Sequence, residues 1–141
     1  MSSKTEVKWL GDMAFDVELN NHHFTIDADE KVGGQDQGPR PKGLLLSGLA
    51  GCTGMDVVSI LKKMKVKDYK FTIEVEGKLK KEFPKPYEKI VTQFNFKGKN
   101  LPKEKIKKAV KLSEERYCGV SDMLKKAAEM KIEININGER I

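Results

Sequence analysis

Cys52 and Cys118 are the only two thiols in the chain and the residues best suited to chemistry. Cys52 lies in the apolar, glycine-studded stretch LLLSGLAGCTGMDVVSIL, and Cys118 lies in ERYCGVSDML. A pair so remote in sequence cannot form a local metal or redox turn. If the thiols cooperate, the fold must bring them together, and the chemistry then open to them is thiolate attack followed by disulfide formation. Read alone, Cys52 is a small core-filling residue: mid-helix it gains little from the helix dipole, apolar burial disfavours its thiolate, and Asp56 one turn later disfavours it further. Cys118 falls between a helical pattern ending near Arg116 and one starting near Val120. Its sulfur is therefore expected near a helix N-terminus, where an anion is favoured. Arg40 and Arg116, with Arg140 in the tail, are the guanidinium groups that could activate either thiol.

The remaining candidates are weaker. His22 and His23 are adjacent, so on a strand they face opposite ways, and a metal site there would need further ligands that the sequence does not offer. GGQDQG at 33–38 lacks the strand–loop–helix spacing and the lysine of a phosphate loop, and reads as a flexible loop covering something. No cofactor or metal is expected. The formal charge of +6 comes from lysines spread along the chain, as in KKMKVK and KEKIKKAVK. Nucleic-acid binding would want them gathered on one element with aromatics to stack on bases, so solvated lysine faces are the simpler reading. MSSKTEVKW has no apolar core of a secretory signal, which argues for a cytoplasmic protein with free or cycling thiols. The stretch 44–61 has the length of a membrane span, but Asp56 and three glycines within it favour a buried core helix.

The positioning elements follow from periodicity. With 141 residues and 38% hydrophobic content, one domain over 1–141 is expected. A short strand around Val7 to Leu10 precedes a second in which Met13, Phe15, Val17 and Leu19 alternate with polar residues. Asn20-Asn21 suits a tight turn, and Phe24 and Ile26 mark a third strand. A helix over 42–65, started by Pro41, is apolar all round and should be buried on most sides, with Gly43, Ser47 and Gly51 forming a flat face for close approach of another backbone, from this chain or from a second one. Two strands (Tyr69 to Leu79, then Ile90 to Phe96), two helices (from Pro102, and around Val120 to Ala127) and a closing strand (Ile132 to Ile136) complete the order βββ-α-ββ-αα-β, an α+β fold.

Taken together, the two cysteine segments resemble the OsmC/Ohr family. GPRPKGLLLSGLAGCTGMDVVSIL is similar to the family's central helix, and YCGVSDMLKKA to its second cysteine segment. The resemblance implies an OsmC-like fold, with antiparallel sheets around a long buried central helix in an intertwined homodimer. It further implies reduction of organic hydroperoxides, with Cys52 as the peroxidatic thiol, Cys118 as the resolving thiol, and an external dithiol, a lipoylated protein or a small molecule, resetting the pair. Two features depart from the family pattern. Lys42 and Gly43 follow Pro41 where many relatives place a glutamate, and no arginine precedes Arg40, which is left as the substitute cation, with Lys42 as a weaker second. Gly119 also stands where the best-known members have proline. The rival expectation is a non-catalytic relative that binds a small ligand or senses oxidation.

Overall fold

A computed structural model describes all 141 residues. The chain divides into two compact units, Met1–Leu45 and Leu46–Ile141.

In the first unit, β1 (Thr5–Gly11), β2 (Ala14–Leu19) and β3 (His22–Ile26) form an antiparallel meander in that order. Asn20 and Asn21 both take left-handed φ, 51° and 61°, the hairpin geometry that Asn tolerates best. The alternation expected of β2 is only half expressed: Val17 is buried, while Met13 and Leu19 stay exposed. Residues 33–38 are not a flexible cover. They wrap the carboxylate of Asp27, itself 2% exposed. The amides of Gln35 and Gln37 donate to Asp27 Oδ2 at 3.2 and 3.1 Å, and that of Ala28 to Oδ1 at 2.7 Å. Glycine is required at 34 and 38 because a Cβ would come 2.0 Å from the carbonyl oxygens of Ala28 and Thr25 respectively.

Burial alone would raise the Asp27 pKa, but the three amides, aided by Arg40, outweigh it and hold the carboxyl below its ordinary value. Its contribution to stability is therefore complete above the unfolded-state pKa and is lost as pH falls through the folded-state value. Asp27→Asn, which turns an acceptor into a donor facing amide donors, is expected to lower the melting temperature by several degrees and to flatten the acid limb of the stability profile. Calorimetry from neutral pH to pH 2 checks both.

In the second unit the sequence builds a four-stranded sheet, order β4-β5-β6-β7 (β4 Lys70–Leu79, β5 Tyr87–Lys97, β6 Glu129–Ile136, β7 Glu139–Arg140). β5 and β6 run parallel, so this sheet is mixed rather than wholly antiparallel. The long return between them holds α2 (Lys103–Leu112), a π-helical turn (Ser113–Tyr117) and α3 (Gly119–Leu124). The two-residue β7, formed after the Asn137-Gly138 turn, is too short to leave a periodic signal. The core gathers Val57, Leu61, Phe94, Phe96, Ile106 and Val110, with Phe71 stacked on Phe96 at 4.8 Å.

The helix α1 spans Leu44–Lys63, two residues later than Pro41 suggested, because residues 41–43 form a turn from which Leu44 and Leu45 donate back to Pro41 and Lys42. It is not buried on most sides within one chain. Leu49, Thr53, Val57 and Leu61, each one turn apart, form its buried stripe. Leu45, Met55 and Val58 are 51%, 76% and 44% exposed, and Gly48 and Gly51 face open space. By length and composition α1 could cross a membrane, and its inward stripe is seated in the core of the second unit.

Candidate functional site

Cys52 sits in the third turn of α1, one residue before Thr53 and four before Asp56, so an intact helix aims the thiol and the carboxylate the same way. Cys118 arrives from the other direction. α2 buries Ile106, Ala109 and Val110, and the chain then widens into the π-helical turn, in which the Cys118 amide donates to the Ser113 carbonyl at 2.8 Å. That wider turn leaves Cys118 extended as the N-cap of α3, with Sγ accepting from the Ser121 amide at 3.3 Å.

These elements bring the two sulfurs together. Both Sγ atoms and a carboxylate oxygen of Asp56 lie within 4.8 Å of one another, and both cysteines are free thiols. Cys118 is 2% exposed and Cys52 half-buried, amid an apolar cluster that includes Leu49, Ile90, Val75, Tyr87 and Met130. The helix N-terminus expected at Cys118 is present, but burial outweighs it. Desolvation pushes this thiol up to about 11, with the neighbouring Cys52 adding to the rise and the Ser121 and Val120 amides only partly opposing it.

Sequence reasoning missed two residues. In the sequence Asp56 reads only as a charge opposing a thiolate, and Ser113 is given no role. The structure links them: Thr53 Oγ1 lies 2.9 Å from Ser113 Oγ, which donates to Asp56 Oδ2 at 2.9 Å. Ser113 is fully buried. Thr53 and Asp56 are polar residues flanking Cys52 in an otherwise apolar helix, and that was the available signal. A cavity of about 210 Å³ adjoins Asp56, lined also by Ile60, Lys63, Leu112 and Tyr117.

Arg40 belongs to the first unit, where its guanidinium meets Asp36 at 2.7 Å, the Gly38 carbonyl at 2.8 Å and Asp29 at 3.5 Å. Its charge is already met by two carboxylates. His23 Nδ1 lies 2.8 Å from Asp16 Oδ2, and that hydrogen bond, with the carboxylate's charge, raises its pKa. Its Nε2 faces Glu18 Oε1 at 3.9 Å.

The family profile described as OsmC-like protein matches residues 34–133. The chain is 30% identical over 128 residues to protein YhfA of Escherichia coli K12, covering 90% of this chain and 92% of that protein. The crystal structure of a hypothetical protein from Aquifex aeolicus superimposes with a TM-score of 0.86 at 29% identity, over 99% of this chain and 98% of its own. The organic hydroperoxide resistance protein OhrB of Bacillus subtilis superimposes with a TM-score of 0.65 at 21% identity, over 96% and 98%.

Proposed function

The chain belongs to the OsmC-like protein family, and from that premise we propose that it is a cytoplasmic thiol peroxidase reducing apolar organic hydroperoxides. The observation that carries this reading is the approach of the Cys52 and Cys118 sulfurs to within 4.8 Å inside an apolar cluster. Family members named for organic hydroperoxide resistance share the fold and support it. Cys52 is the attacking thiol because it is the more accessible of the two, whereas Cys118 lies sealed behind it.

The steps balance with residues of the chain and two external reactants. The Cys52 thiol gives its proton to the adjacent Asp56 carboxylate, which the Ser113 hydroxyl orients. The thiolate attacks the terminal peroxide oxygen, the O–O bond breaks, and the departing alkoxide takes the proton back from Asp56 to leave as an alcohol. Cys52 is now a sulfenic acid. The Cys118 sulfur displaces its hydroxyl as water and forms the disulfide, and an external dithiol exchanges with that disulfide to restore both thiols.

The assembly belongs to the same proposal. Gly48, Gly51, Met55 and Val58 lie along one exposed face of α1, with glycines that permit close helix approach. A homodimer paired through this face covers it.

Purified protein supplied with a dithiol reductant is expected to consume an alkyl hydroperoxide catalytically. kcat/KM should rise by up to about fourfold for each added methylene that enters the pocket, the equivalent of about 0.8 kcal/mol. Coupled turnover assays over a series of chain lengths read this out. No consumption above the rate of free dithiol overturns the proposal and favours a binding or sensing protein.

A further inference from the structure

We propose that the reduced protein binds one soft divalent cation, of the zinc and cadmium class, through Cys52, Asp56 and Cys118. The inference rests on where these three side chains meet, not on the peroxidase reading. Three groups that become anionic on losing a proton converge with their ligand atoms within 4.8 Å, and no lysine or arginine pairs with Asp56 to offset them. Two thiolates and a carboxylate are the donor set that a d10 cation prefers. With metal–sulfur bonds of about 2.3 Å and a metal–oxygen bond of about 2.1 Å, a tetrahedral ion holds such donors roughly 3.5–3.8 Å apart. The observed cluster needs to contract from at most 4.8 Å, by no more than about 1.3 Å.

The surroundings act as a supporting shell. Ser113 fixes the Asp56 carboxylate, Thr53 lies 2.9 Å from the Ser113 hydroxyl, and the Ser121 amide orients the Cys118 sulfur. Three protein ligands leave a fourth position for water or a small anion, as in open zinc sites. Binding releases both thiol protons as the two metal–sulfur bonds form. Converting the pair to a disulfide removes both thiolates, so the cation is held only by the reduced protein.

The test is titration of the fully reduced, full-length chain with cadmium and zinc salts in a non-chelating buffer. Isothermal calorimetry follows the binding, and the ultraviolet thiolate-to-cadmium charge-transfer band reports its chemistry. One ion per chain is expected, with that band appearing in proportion. Wild-type protein oxidised to its disulfide with diamide should give no band; this arm needs no substitution and so cannot fail through misfolding. Cys118→Ser should lose the two-thiolate band, and Ser113→Ala should weaken binding by about tenfold or more while keeping the stoichiometry. Absence of stoichiometric binding by reduced wild type, or equal binding by the oxidised form, overturns the proposal. Peroxide turnover measured on the same sample separates that failure from a failure of the peroxidase reading.

Discussion

Cys52→Ser is expected to lower peroxide turnover by about a thousandfold or more, because a serine hydroxyl in this apolar cluster cannot replace a thiolate as nucleophile toward an O–O bond. The companion change separates the two sulfurs. Cys118→Ser leaves the attacking thiol intact, so its first turnover should release one equivalent of alcohol per chain and then stall at the sulfenic acid. A carbon nucleophile that labels sulfenic acids, read by mass spectrometry, should mark Cys52 in that variant and not in wild type. Slow residual cycling is expected where an external dithiol reaches Cys52 directly. Wild-type turnover by Cys52→Ser refutes the assignment, and a burst from Cys52→Ser with none from Cys118→Ser reverses the roles.

Replacing Met55 and Val58 together by glutamate is expected to convert the proposed homodimer into monomers, weakening association by about a thousandfold or more. Each apolar side chain removed from the contact forfeits about 1.5–3 kcal/mol, each introduced carboxylate would be buried unpaired, and a twofold axis makes every change count twice. Met55 is 76% exposed in the isolated chain, so the variant should fold normally. Sedimentation at micromolar concentration distinguishes the outcomes: a wild-type monomer ends the proposed assembly, whereas a wild-type dimer that survives both substitutions moves the contact to another face.

The sequence made most elements visible because their signals are local. The alternation of Phe71, Ile73 and Val75 in β4 and the helical spacing of Ile106, Ala109 and Val110 in α2 each report a face directly, and the structure buries those faces at least in part. Periodicity does not encode strand direction, so the parallel pairing of β5 with β6 was not legible. At α1 apolar residues all round signal burial without saying what covers each face, and within one chain one face stays open. The loop at 33–38 misled: its glycines signal close backbone approach to Ala28 and Thr25 rather than mobility.

At the site, both cysteines stood out by type, but their meeting depends on two elements from distant segments and could be expected only through resemblance. Asp56 was visible and misjudged. Its partner Ser113 is contributed by α2 and the turn after it, and no local pattern connects positions 56 and 113. Arg40 stood out as the first arginine in the chain, yet Asp36, four residues before it, and Asp29 already provide for its charge.

The widened turn between α2 and α3 fixes the chain length between its two ends. Ser113 at its start touches Asp56, and Cys118 just past its end faces Cys52. Of the residues between them, Glu115 and Arg116 are exposed and are free to vary in identity. Inserting or deleting a single residue among them would rotate one end by roughly a quarter of a turn relative to the other. Homologous chains that keep both sulfurs in service should therefore drift freely in the letters of this segment while holding its spacing constant.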